Sequence, residues 1–102
     1  MTNLDLGFNK LALVPSEIGA LTRLIKLSLD HNKLVQVPPE IGALTSLQEL
    51  ELQKNKLVRV PPEIEKLTNL IELNISQNNI TSDEIPKGLF KLTKLTIFNY
   101  NY

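Results

Sequence analysis

Cysteine and tryptophan are absent from this 102-residue chain, histidine occurs once, and aromatic residues make up 5%. Each scarcity closes a class of function. Without cysteine there is no disulfide framework and no thiolate metal site, a composition that fits a reducing compartment. A single histidine, His31, excludes a multi-histidine metal centre. So few rings leave little platform for stacking a sugar. Lys plus Arg equals Asp plus Glu at 11 each, so net charge gives no argument for nucleic acid or an anionic membrane. No apolar run approaches the ~20 residues of a membrane helix. No charged-then-apolar leader precedes the first patterned residue. The expectation is a soluble cytoplasmic protein that needs no cofactor or metal and binds neither nucleic acid nor membrane.

What the chain does have is a period. Asn9, Asn32, Asn55 and Asn78 stand 23 residues apart, each within Leu-x-(Leu/Ile)-x-x-Asn-x-(Leu/Ile). Leu24, Leu27, Leu29, Asn32, Leu34, Val37, Pro38, Ile41 and Leu44 recur as Leu47, Leu50, Leu52, Asn55, Leu57, Val60, Pro61, Ile64 and Leu67. Such self-similarity means stacked copies of one supersecondary unit, each burying its apolar face on the next. The units fall at 1–23, 24–46, 47–69 and 70–94, with a partial one at 95–102, in a single domain.

Within a unit, alternation around Leu27 and Leu29 is strand periodicity, with Lys26, Ser28 and Asp30 directed outward. The asparagine that follows lies between apolar positions. Its amide is therefore expected to be buried and bonded to the backbone of adjacent turns, a structural role at all four positions. The return half begins at Val37-Pro38-Pro39-Glu40-Ile41, where proline presets φ and glutamate suits a helix start. Thr22, Thr45, Thr68 and Thr93 precede the next strands, where a hydroxyl suits the turn backbone. The fourth unit is longer: Thr81-Ser82-Asp83-Glu84-Ile85 replaces Val58-Arg59-Val60, which reads as a tolerated loop insertion or a binding bulge. Two sequons, at Asn74 and Asn79, are of low specificity.

The unit Leu-x-x-Leu-x-Leu-x-x-Asn-x-Leu-x-x-Val-Pro-Pro-Glu-Ile-x-x-Leu-Thr-x-Leu resembles the 23-residue cytosolic leucine-rich repeats of Ras-binding scaffolds, Roco-type GTPases, adenylyl cyclases and repeat-linked phosphatases. The resemblance implies an α/β fold. This is a leucine-rich-repeat solenoid, curved as a right-handed superhelix, with a parallel sheet on its concave face and short helical or 3₁₀ segments on its convex face. It also implies a non-enzymatic protein-interaction module of signalling type, cytoplasmic, as part of a larger protein or scaffold. Met1 occupies a leucine position and the sequence stops inside the fifth strand pattern. The expectation is a fragment of a longer array or a short uncapped repeat protein. Homo-oligomers stacked end to end through the terminal units are the alternative.

A partner on the concave face would meet the outward strand columns. These are Asn3, Lys26, Glu49, Glu72 and Ile97; Asp5, Ser28, Glu51, Asn74 and Asn99; Gly7, Asp30, Gln53, Ser76 and Asn101; and Phe8, His31, Lys54, Gln77 and Tyr102. Five carboxylates, Asp5, Asp30, Glu49, Glu51 and Glu72, stand there against Lys26 and Lys54. Expected partner-binding residues are Asp5, Phe8, Lys26, Ser28, Asp30, His31, Glu49, Glu51, Gln53, Lys54, Glu72 and Asn74, for a protein partner with a basic segment. Ser28, Asp30 and His31 invite a triad reading, but no oxyanion motif accompanies them and an open sheet does not exclude water. Five strands about 4.8 Å apart and about 18 Å long give about 430 Å². A standard interface buries about 800 Å² per partner, so the loop edge at Phe8, His31 and Lys33 has to contribute.

Overall fold

The alternating segment of each unit forms one short strand, and the strands pair in chain order. In the computed structural model, which describes residues 1–100, β1 (Asn3–Asp5), β2 (Lys26–Ser28), β3 (Glu49–Glu51), β4 (Glu72–Asn74) and β5 (Ile97–Asn99) make one parallel sheet. Register advances by one unit per strand, so Lys26, Glu49, Glu72 and Ile97 stand side by side. Pairing outlasts the strands: the Leu29 and His31 N–H groups donate to the Glu51 and Gln53 carbonyls. Asn101 and Tyr102 of the sequence columns lie outside the described residues.

On the return side, η1 (Ser16–Ala20), η2 (Pro39–Ala43), η3 (Pro62–Lys66), η4 (Ser82–Glu84) and η5 (Lys87–Lys91) are 3₁₀ turns. Pro15, Pro38, Pro61 and Pro86 precede four of them with extended ψ, as the proline pattern predicts. A path of five residues leaves no length for an α-helix, and the tighter 3₁₀ turn fits it. Between the two layers lies one continuous apolar row. Leu24, Leu27, Leu29, Leu34, Ile41 and Leu44 are fully buried, and so are Leu47, Leu50, Leu57 and Leu67 in the next unit.

The asparagines stitch each unit to the one before. Asn55 Nδ2 donates to the Leu29 and Leu52 carbonyls at 3.0 and 3.1 Å, while its Oδ1 accepts the Leu34 N–H at 3.0 Å. Asn32 and Asn78 repeat the pattern against Leu11 and Leu57. Asn9 departs from it: it is exposed, and its amide reaches only Leu6 and Gly7 of its own turn. In the terminal unit of the described stack there is no preceding turn to bond.

Two further expectations change. The fourth column is not strand: Phe8, His31, Lys54 and Gln77 all have φ between 55° and 58°. Each occupies the left-handed region that reverses the chain just before the asparagine. Among the described residues no threonine hydroxyl braces a turn; Thr45 and Thr68 use their backbone N–H groups, on Ala43 and Lys66. The insertion of the fourth unit folds back as η4, and the Glu84 carbonyl accepts the Val60 N–H at 3.4 Å. Beside it runs a groove of about 780 Å³ lined by Asn78, Asn79, Ile80, Ile85 and Tyr100 among others.

Candidate functional site on the concave sheet

Parallel in-register strands place equivalent outward side chains next to one another, and here that gathers carboxylates. Glu49, Glu51 and Glu72 each bring one oxygen within 4.8 Å of the others. Lys26 reaches Glu49 at 3.4 Å, with both side chains more than 40% exposed. An exposed pair of this kind contributes only about 0–1 kcal/mol. Burial raises Glu51 to about 7 from an ordinary value of 4.5, helped by the Glu72 carboxyl as hydrogen-bond partner and like charge. Gln53 and Lys26 oppose the rise without cancelling it. Calcium takes six to eight oxygens, and three side chains on an open sheet fall short of that shell.

A second cluster lies toward β1. Asp30 Oδ2 and His31 Nδ1 are 2.8 Å apart, and the His31 ring stacks on Phe8 with centroids 3.9 Å apart and planes 17° from parallel. Both residues sit in the left-handed backbone region. Phe8 is 76% exposed. Gly7 belongs to this cluster, although the sequence reading did not single it out. A Cβ there would sit 2.8 Å from Asp30 Oδ1, so the missing side chain gives Asp30 its room. The signal was available, since Gly7 shares a column with Asp30, Gln53 and Ser76.

Not every expected residue is accessible. Ser28 is only 6% exposed. Its short side chain stands between the longer Asp5 and Glu51 in register, which cover it. That removes it as a contact residue and as a nucleophile, and the triad reading goes with it. Asn74 is half-buried, and its Oδ1 is occupied by the Ser76 N–H and hydroxyl at 3.0 and 2.7 Å. Asp5 spends one oxygen on the Gly7 N–H at 2.9 Å. Gln53 is half-buried, with Oε1 fully enclosed and unpartnered among the described residues. Lys54 is exposed on its turn.

This repeating architecture is shared with solved structures. A leucine-rich repeat protein of Leptospira interrogans matches with a TM-score of 0.89 and 41% identity, covering 100% of this chain and 24% of that one. An internalin of Listeria monocytogenes matches at 0.84 and 29% identity, over 97% and 27% of the two chains. The BIR2 ectodomain of Arabidopsis thaliana follows at 0.72 and 27% identity, over 79% and 44%. The chain thus spans about a quarter of the length of the two bacterial proteins. No curated protein sequence matches it at a significant level. The family description "Leucine-rich repeat region" covers residues 4–100. With its 23-residue units, asparagine ladder and parallel sheet, the chain belongs to the leucine-rich repeat family.

Proposed function

We propose that this chain is a non-enzymatic protein-binding segment that recognises a basic stretch of a partner protein through its concave sheet and the adjoining turn ridge. It would serve in a cytoplasmic signalling or scaffold protein, as the repeat pattern and the cysteine-free composition suggest. One observation carries the reading: Glu49, Glu51 and Glu72 converge within 4.8 Å, while Lys26 pairs with Glu49 and offsets the charge at Glu51 only in part. A cationic side chain of a partner supplies the missing charge. The Phe8–His31 stack and Lys54 extend the contact beyond the small sheet.

Stacking of whole chains end to end has less support. In the five-residue 3₁₀ turns the fourth residue faces the next unit, as Gly19 and Gly42 do. In η5 that place is taken by Phe90, 72% exposed. An incoming η1 would present Glu17 against this ring, two large side chains where the interior pairs one with a glycine.

The test is the double variant Glu49→Lys/Glu51→Lys. Both side chains are half-exposed, so the urea midpoint stays near wild type, whereas affinity for a basic partner falls about tenfold or more and its salt dependence shrinks. Capture experiments with wild type and variant should lose a set of proteins carrying basic segments. An unchanged set of captured proteins would remove the concave carboxylates as the recognition surface.

A further inference from the structure

The repeat makes a second face uniform besides the concave sheet. Beyond the turn that ends each strand, the segments after the asparagines stack as well. The Lys33 and Lys56 N–H groups donate to the Leu11 and Leu34 carbonyls at 2.9 and 2.8 Å, and the Val58 N–H donates to the Val35 carbonyl at 3.3 Å. Burial alternates along these segments: Asn32 and Leu34 point in while Lys33 and Val35 point out, and Asn55 and Leu57 point in while Lys56 and Val58 point out. Stacking therefore sets two exposed columns side by side on one flank of the solenoid. One holds Lys10, Lys33 and Lys56; the other holds Ala12, Val35 and Val58.

This flank carries charge of one sign. Stretches 6–16, 31–39 and 54–62 contain Lys10, Lys33, Lys54, Lys56 and Arg59 and no aspartate or glutamate. Among the described residues none of these five is ion-paired. The strip ends at the fourth unit, where Asn79 takes the lysine's place and the Glu84 carbonyl accepts the Val60 N–H, bringing the acidic insertion beside Arg59. Equal totals of acid and base hide this separation, so net charge, the ground for expecting no membrane partner, does not register it. Apolar surface shares the face: Leu13, Val35 and Val58 are 65%, 50% and 42% exposed.

The flank offers a peptide little to hold. Its Lys33, Lys56 and Val58 N–H groups are already spent on the neighbouring unit, and none of its residues lines the groove beside the fourth unit. A bilayer needs neither a free backbone edge nor a recess. It responds to summed charge, at about fivefold in affinity for each lysine near an anionic leaflet, and it takes apolar side chains at headgroup level. Lysine stems lie along such side chains and keep the ammonium among the phosphates.

We propose that the Lys10–Lys33–Lys56 flank docks on an anionic phospholipid surface, with Leu13, Val35 and Val58 entering its headgroup layer. The flank adjoins the concave sheet and does not include it, so the docked chain keeps its carboxylates open to a protein partner. The proposal stands on its own observations and holds whether or not the concave face binds.

Flotation of the whole chain with vesicles tests it. Wild type should float with vesicles of phosphatidylcholine and phosphatidylserine in equal parts, and should not float with phosphatidylcholine alone. Salt at about 1 M, where the screening length falls to about 3 Å, should release it. Lys10→Gln/Lys33→Gln/Lys56→Gln should weaken the binding about a hundredfold, with an unchanged urea midpoint because all three side chains are exposed. The chain has no tryptophan, so Val35→Trp gives a single reporter at the centre of the flank. Its emission should shift to the blue with the anionic vesicles alone. Equal flotation with both vesicle types, or equal flotation of wild type and the triple lysine variant, overturns the proposal. An unshifted Val35→Trp emission on bound vesicles also overturns it, by placing the contact on another face. Binding to polyglutamate without binding to anionic vesicles overturns it in favour of an acidic protein partner.

Discussion

Replacing Asn55 with alanine is expected to lower stability by about 3 kcal/mol, whereas the same change at Asn9 costs less than about 1 kcal/mol. The residues occupy the same place in the repeat, so propensity and composition do not separate them. Their hydrogen bonds do. Asn55 is buried, serves the Leu29 and Leu52 carbonyls and satisfies the buried Leu34 N–H. Alanine leaves the Leu34 N–H enclosed without a partner, at about 1–3 kcal/mol, and strips each carbonyl of one of its two donors, Asn32 still serving Leu29 and Asn78 still serving Leu52. Asn9 touches only carbonyls of its own exposed turn, where water replaces it. Asn78, half-buried, should fall between them. Position amplifies the difference, because breaking the stack in its middle leaves two halves of about two units, below the three or more that such arrays need. Since small domains hold only about 5–15 kcal/mol in total, Asn55→Ala should shift the urea midpoint far downward. Asn55→Asp serves as the shape-matched control. It keeps the acceptor for Leu34 but turns an oxyanion toward two carbonyls, so it should fare no better. Equal losses at Asn9 and Asn55 would show that the ladder is not what holds the units together.

This contrast also marks how far the sequence was legible. A period of 23 residues announced the stacked unit, its inward leucines and its proline-led turns, because period and proline act locally and alike in every copy. The buried role of the asparagine amide followed from its apolar neighbours, and it holds at Asn32 and Asn55. It fails at Asn9 because burial there depends on a neighbouring unit, which no residue of the unit itself encodes. Ser28 is the same lesson in the sheet. Its outward direction was readable from alternation, but its cover comes from Asp5 and Glu51, whose lengths count only once register brings them alongside. The left-handed turn was hidden for a different reason. Phe8, His31, Lys54 and Gln77 include no glycine or asparagine, the residues that normally mark positive φ. The convergence of Glu49, Glu51 and Glu72 was legible from two neighbouring columns. Its raised carboxyl was not, because partial burial of Glu51 had to be seen.

Gly42→Ala should cost about 1–3 kcal/mol, and Gly88→Ala should cost less than about 0.5 kcal/mol, although both glycines lie in convex 3₁₀ turns. Neither has positive φ, so conformational freedom is not the issue; space is. An added Cβ at Gly42 would stand 2.8 Å from the Glu63 carbonyl oxygen and 3.0 Å from the Glu63 Cβ. Those atoms belong to η3's backbone and first side-chain carbon, so they move only if the turn moves. Pushing η3 away from η2 also loosens Ile41 from Ile64, both almost wholly buried. At Gly88 the three atoms nearest the added carbon all belong to the side chain of Glu65, mainly its carboxylate end. Glu65 is exposed, and its carboxylate can swing into water. The two contacts mirror each other: η2 presents glycine to a glutamate of η3, and η3 presents a glutamate to the glycine of η5. One member of each facing pair must be small, but only at Gly42 is the opposing atom immovable. Thermal or urea melts of the two single variants decide the matter. If Gly88→Ala proved as damaging as Gly42→Ala, the spacing of the convex turns would be set by something other than backbone approach. A harmless Gly42→Ala would show that η3 shifts freely, and that the close packing of turns is a consequence of the sheet rather than a cause of the stack.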